Sequence, residues 1–157
     1  MNEKITLDPY SKKILRELQN NGQFTIQEIS ERVGLSSTPC WRRVRDMEQS
    51  GIIRRYTALL DREKIGLNIC VLAHVSLTRH SEDAAEHFEQ VVLKSDEVVE
   101  CFRTTGEADY ILKIMVSTLK AYDDFLHRTI FRVPGVSNIR SMVVLKDVKC
   151  NTALQIE

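Results

Sequence analysis

The residues best equipped for chemistry in this chain stand close together. Residues 34–53 read GLSSTPCWRRVRDMEQSGII. They hold the chain's one tryptophan, Trp41, and three arginines, Arg42, Arg43 and Arg45, with Ser36, Ser37 and Thr38 just ahead. Arg54 and Arg55 follow. A guanidinium is a rigid fork of donors that fits phosphate oxygens and the O6/N7 edge of guanine. Hydroxyls and unpaired N–H groups at a helix start suit phosphate as well. The chemistry on offer is recognition of a polyanion. The alternative is a solvated basic face with Trp41 lying over the edge of the domain.

A second group occupies residues 103–110, RTTGEADY. Gly106 permits positive φ and close approach of a ligand to the backbone. Successive N–H groups in such a turn can hold a carboxylate. Asp109 can pair with an ammonium, and Thr104 or Thr105 can donate to a carboxylate. Together they suit a zwitterion. An ordinary hairpin turn uses Gly and Asp just as readily, and the residues alone leave both readings open.

Little else points to catalysis or a metal. His74, His80, His87 and His127 stand at no metal-ligand spacing with Cys, Asp or another His, so no metal site is expected. There is no GxSxG, HExxH or P-loop. Cys40 or Cys101 would be the best nucleophile of an enzyme, and neither has a recognisable His partner. We assign no catalytic residue and no cofactor. The four cysteines, with Cys70 and Cys150, form no CxxC and suggest reduced, mostly buried thiols in a cytoplasm.

The elements must position these groups. The chain has 157 residues, 43% of them hydrophobic, enough for one medium domain or two small ones. No run of about 18 apolar residues occurs, so no membrane-spanning helix is expected. Residues 1–6 lack the apolar stretch of a signal peptide. Net charge is zero, but its distribution is uneven. Residues 1–60 carry ten Lys/Arg against seven Asp/Glu, and the remainder twelve against fifteen. The split suits a polyanion partner for the first half.

Asp8-Pro9 opens a first helix with Asp8 as N-cap, and Asn20-Asn21-Gly22 ends it. Thr25 to Glu28 reads as a capping box for a short second helix closed by Gly34. Ser36 or Ser37 caps a third helix with Pro39 in its first turn, running to about Gln49 and stopped by Gly51. Two helices joined by a tight Gly-Leu-Ser turn form a helix-turn-helix pattern. At about 100° per residue, Cys40, Val44 and Met47 share the stripe that packs inward. Thr38, Arg42, Arg45 and Gln49 share the opposite face, and Trp41 and Arg43 sit on the flanks.

Residues 52–60 read as a strand and 61–67 as a connector. Then follow a strand over 68–77, a helix from Ser81 to about Lys94, strands over 98–105 and 110–116, a helix over 119–132, and a long strand from Val136 to about Val148. The fold class is α+β: an N-terminal helix-turn-helix domain (1–60), a linker (61–67), and a ferredoxin-like βαββαβ domain (68–157).

The segments VGLSSTPC, GEADY and PGV, in this order and spacing, resemble the leucine-responsive regulatory protein / AsnC family of prokaryotic transcription regulators, the feast–famine regulators. The resemblance runs nearly end to end. It implies a DNA-binding regulator, dimeric at least and often a disc-like octamer, with an amino acid held between the inner domains. It makes Ser36, Ser37, Thr38, Trp41, Arg42, Arg43, Arg45, Arg54 and Arg55 candidates for contact with double-stranded DNA. It turns the 103–110 turn into a candidate effector site of Thr104, Thr105, Gly106, Asp109 and Tyr110. Ser141, Met142, Val143 and Val144 resemble the family's effector-responsive strand, with strand core or oligomer interface as the other reading. Those walls are more apolar than charged, so leucine or methionine is the expected effector. A homodimer in the cytoplasm, with no membrane contact, completes the expectation. The competing class is an amino-acid-sensing module or small enzyme on a ferredoxin-like fold without DNA binding. Amino-acid turnover, or no DNA affinity, would favour it.

Overall fold

The computed structural model describes residues 7–78 and 82–156, and for Glu82 the backbone alone. The chain divides into two units. One comprises the described residues up to Leu59 together with those from Lys149 onward, and the other is Leu60–Val148. The segment after Val148, expected in the second domain, is therefore grouped with the first.

The first unit is three helices: α1 (Pro9–Asn20), α2 (Ile26–Val33) and α3 (Ser37–Gln49). Each start has a local cause. The Asp8 carboxylate accepts the Ser11 N–H at 2.6 Å, and Pro9 stands where a missing N–H costs nothing. Thr25 and Glu28 cap each other's backbone N–H groups. Gly34, at φ 75°, closes α2 in the left-handed region that favours glycine. Ile14, Leu15, Ile29, Val33, Cys40, Val44 and Met47 form the core. Its α3 members, Cys40, Val44 and Met47, are the stripe expected from helical spacing.

The strand expected over residues 52–60 is absent. Ile52 and Ile53 pack under the helical core, and the Ile53 N–H donates to the Met47 carbonyl at 3.0 Å. The Tyr56 hydroxyl returns to Glu48 at 2.9 Å. The apolar pair completes a helical core instead of a ladder, since the described residues of this unit hold no strand to pair with it.

The second unit holds β1 (Ile69–Leu77), α4 (Glu82–Leu93), β2 (Val98–Arg103), β3 (Tyr110–Val116), α5 (Leu119–Arg128), a 3-10 turn (Ile130–Arg132) and β4 (Val136–Val143). The expected helix start at Ser81, like His80 and residues 1–6, lies outside the described residues. The strands form one antiparallel sheet in the order β2-β3-β1-β4, the ferredoxin-like arrangement. One face carries Val71, Ala73, Val75, Tyr110, Leu112 and Ile114. Both helices pack there, through Phe88 and Val92 of α4 and Tyr122, Phe125 and Leu126 of α5. β4 is shorter than expected. Val143 pairs with Val71 and the Val144 N–H still reaches the Cys70 carbonyl, but β1 begins at Ile69 and offers little more to pair with. Of the cysteines, Cys40 and Cys70 are buried and Cys101 and Cys150 exposed; all four are free thiols.

Candidate nucleic-acid interface and effector site

The start of α3 differs from those of α1, α2 and α5. Ser36 has the extended backbone of an N-cap (φ −78°, ψ 159°), yet its hydroxyl makes no capping hydrogen bond. Asp8, Thr25 and Thr118 do cap α1, α2 and α5. The first N–H groups of α3, on Ser37 and Thr38, have no intrahelical acceptor, and Pro39 brings no N–H. Ser36, Ser37 and Thr38 are exposed, with the Ser37 hydroxyl 3.4 Å from that of Ser30 on α2. Donors and the positive end of the helix dipole therefore face outward together.

Arg42 and Arg45 lie on the exposed face of α3. Arg42 makes no hydrogen bond or ion pair among the described residues. The Arg45 guanidinium lies 5.1 Å over the ring of Trp41, which is 47% exposed. Such stacking limits the arginine's rotamers while leaving its edge donors available. Arg54 and Arg55 are likewise exposed and unpaired among the described residues.

Arg43 differs. Its Nε and Nη2 each lie 3.0 Å from Asp8 Oδ2, its Nη1 donates to the Pro39 carbonyl at 3.3 Å, and its guanidinium sits 5.8 Å over Tyr10. Its donors are spent tying α3 to the N-cap of α1. Its place on the flank of the helix turns it toward α1. The partner, Asp8, is too distant in sequence for the pairing to be legible there. The Ser11 backbone N–H, and then Arg43, hold the Asp8 carboxyl below the usual carboxylate range.

In the second unit, the loop between β2 and β3 sits over the end of β1. Gly106, at φ 121°, makes the turn. Asp109 is exposed, and its Oδ2 accepts the Leu77 N–H at 2.7 Å. The Thr104 hydroxyl donates to the Ala108 carbonyl at 2.8 Å, and Thr105 is exposed. Arg140 on β4 reaches Glu107 at 2.7 Å, and this pair holds Glu107 below its ordinary value. A carboxylate, an ion pair and a turn's N–H groups thus gather at one end of the sheet.

Tyr110 departs from expectation. It is 2% exposed, belongs to the core, and donates its hydroxyl to Glu89 at 2.6 Å. Burial and the Glu89 carboxylate push its pKa up to about 12. It faces the helices because it shares the inward face of β3 with Leu112 and Ile114, two and four residues on.

The same alternation divides residues 141–144. Ser141 turns to the helical face and shares a hydrogen bond with the Tyr122 hydroxyl. Met142, 48% exposed, turns to the other face. These residues pair with β1 from Ala73 downward, whereas the loop sits over Val75 and Leu77. Within one chain, then, residues 141–144 do not face the loop; Arg140 does. Sequence reasoning missed Glu107 and Arg140, because their pairing depends on strand order. It also missed a groove of about 250 Å³ lined by Phe131, Val136, Ser137, Asn138 and Ile139.

The sheet face away from the helices carries Leu72 and His74 of β1, Phe102 of β2, Ile111 of β3 and Met142 of β4, together with the charged Glu100, Lys113 and Arg140. Phe102 is 53% exposed. No helix of this unit covers that face.

Comparison with known proteins agrees with both units. Residues 7–54 match a family described as winged helix-turn-helix DNA-binding, and residues 70–154 one described as Lrp/AsnC ligand binding domain. The leucine-responsive regulatory proteins of Escherichia coli K12 and Klebsiella pneumoniae are each 40% identical over 151 residues, covering 96% of this chain and 92% of theirs. A transcriptional regulator from Neisseria meningitidis, solved as an L-Met complex, is 42% identical with TM-score 0.91, covering 96% of this chain and 97% of its own. An AsnC family transcriptional regulator from Agrobacterium tumefaciens is 36% identical with TM-score 0.90, covering 95% and 97%.

Proposed function

Because the chain belongs to the Lrp/AsnC family of transcription regulators, with a helix-turn-helix DNA-binding domain and an amino-acid-binding domain, we propose how its own residues divide that work. It is a regulator and not an enzyme, which sets aside the competing class. α3 enters the major groove with Thr38, Arg42, Arg45 and Gln49 toward the bases. Ser36, Ser37 and the uncapped N–H groups hold a phosphate, and Arg54 and Arg55 grip the backbone nearby. Trp41 orients Arg45. Arg43 contributes by fixing α3 against α1. The observation that carries this reading is the contrast along one helix: Arg42 and Arg45 are exposed with no ion pair among the described residues, whereas Arg43 is bound to Asp8.

The effector is an aliphatic amino acid, leucine or methionine. Its ammonium meets Asp109, and its carboxylate meets the N–H groups of the turn after Thr104 with the Thr105 hydroxyl, while Thr104 shapes that turn through its own hydrogen bonds to Ala108 and Asp109. The apolar wall comes from residues 141–144 of a neighbouring subunit, since those of the same chain run the other way. The protein works as a homodimer, and multiples of it up to an octamer, in the cytoplasm. The apolar side chains Leu72, Phe102, Ile111 and Met142 on the uncovered face of the sheet support pairing with a second copy. No helix among the described residues is long and apolar enough to cross a membrane.

The test is a mobility-shift titration on the protein's own upstream DNA, repeated with each amino acid. We expect sequence-specific binding whose affinity leucine or methionine changes. No DNA binding, or a response to aspartate or lysine in place of the aliphatic amino acids, would contradict the reading.

A further inference from the structure

The chain enters the second unit at Leu60 and leaves it after Val148, and the two ends of that unit, residues 60–68 and 144–148, are tied to each other. Arg62 Nη1 donates to the carbonyls of Leu67 and Asn68 at 3.2 and 2.9 Å, and Arg62 Nε reaches Asp147 at 3.3 Å. One side chain, 19% exposed, thus cross-links the outgoing and returning strands of chain.

Past Val148 the chain is bound to α1. Gln19 treats Leu154 as a ladder partner: its Oε1 accepts the Leu154 N–H at 2.6 Å, and its Nε2 donates to the Leu154 carbonyl at 3.1 Å. Arg16 Nη2 donates to the Ile156 carbonyl at 2.6 Å. The Ile156 side chain packs against the core of the three helices, while Leu154 stays 77% exposed. The attachment is therefore made by backbone groups of the tail, two polar side chains of α1, and one apolar anchor.

We propose that residues 149–156 are a strap that passes the state of the effector-binding unit to the DNA-binding helix. The proposal rests on the assignment of roles to the two units given above. Its path is continuous. β4 runs through Asp147, held by Arg62, into the strap. The strap grips α1 at Arg16 and Gln19. α1 carries Asp8 at its start, and Asp8 holds Arg43 of α3. A coupling needs an element with two arrangements that both sites bias. The strap supplies them, bound to α1 or released. A handful of solvent-accessible hydrogen bonds, each contributing little net stability, lets modest forces on β4 shift that balance.

Two variants of the full protein test this. One ends after Lys149; the other keeps the tail and carries Arg16→Ala with Gln19→Ala. DNA affinity is measured by fluorescence anisotropy with and without saturating leucine or methionine, and amino-acid binding by calorimetry. We expect both variants to bind the amino acid, and to bind DNA without it within about 3-fold of wild type. The effector-induced change in DNA affinity, about 5- to 150-fold for ordinary allosteric couplings, should fall toward none in both. Hydrogen exchange should show the Leu154 amide protected in the wild type and unprotected in the double variant. An undiminished effector response in both variants, or an unprotected Leu154 amide in the wild type, overturns the strap. A wild type to which no amino acid binds overturns instead the effector reading on which it rests.

Discussion

At the scale of single residues, neighbouring arginines have opposite fates. Arg42 and Arg43 are adjacent and of one type, yet among the described residues only Arg43 has a hydrogen-bond or ion-pair partner. Arg43→Ala should therefore act through stability. It removes the partner of the N-cap carboxylate, and a helix cap is itself worth about 1 kcal/mol. Thermal unfolding should show a lowered midpoint, with DNA affinity falling alike on all sequences. A wild-type midpoint would contradict the structural role. The same carboxylate gives a pH dependence. Asp8 and Glu28 are both held below the usual range, chiefly by backbone N–H groups of Ser11 and Thr25. Their contribution is complete above the ordinary carboxylate pKa and is lost as pH falls through the lowered one. The first unit should lose stability as pH drops from about 5 toward 3, less steeply in Asp8→Asn.

Asp109 belongs to this scale too. It is exposed and hydrogen-bonded, so the cost of losing its charge is that of a charged hydrogen bond, about 1.5–3 kcal/mol, roughly 10- to 150-fold in affinity. Asp109→Asn keeps an acceptor for the Leu77 N–H and should fold normally. Calorimetry should show leucine or methionine binding weakened by that factor. Equal binding by both proteins would remove Asp109 from the site.

At the scale of elements, the sequence was most legible where local chemistry decides. Pro9, the Thr25–Glu28 box and the Gly34 stop mark α1 and α2 because caps act within a few residues. Tyr110 to Val116 was legible because a short apolar run bounded by turn residues reads as a strand. The strand expected at 52–60 failed because the adjacent β-branched residues Ile52 and Ile53, which look strand-like in sequence, both serve a helical core. The expected helix through residue 132 breaks at Thr129 and ends as a 3-10 turn. The site was legible as a list but not as an arrangement. Register and strand order place Tyr110 inward, divide residues 141–144 between two faces, and bring Arg140 to Glu107. Gly135 shows how tightly one turn is built. Its φ is 92°, and a Cβ there would lie 2.8 Å from the Ala84 Cβ. Gly135→Ala combines backbone strain with overpacking and should cost about 1–3 kcal/mol. Denaturant unfolding of the second unit checks this, and an unchanged midpoint would contradict it.

At the scale of the whole molecule, one helix-turn-helix module covers only a half-site, so a two-fold pair should bind half-sites about one helical turn, or a multiple, apart. The uncovered sheet face is where a second copy would gain most from apolar burial. A charge there, as in Phe102→Glu or Met142→Glu, should dissociate the assembly. Light scattering should show a dimer or its multiple for the wild type and a smaller species for the variants. A wild-type monomer would contradict the pairing.

The most direct measurement is DNA affinity of wild type, Arg42→Ala and Arg45→Ala on the protein's own upstream duplex and on base-substituted versions of it, at several salt concentrations. We expect affinity to fall steeply with salt. At least one variant should lose about 1–3 kcal/mol together with preference at a base pair. Wild-type affinity and wild-type sequence preference in both variants would contradict recognition by this face of α3.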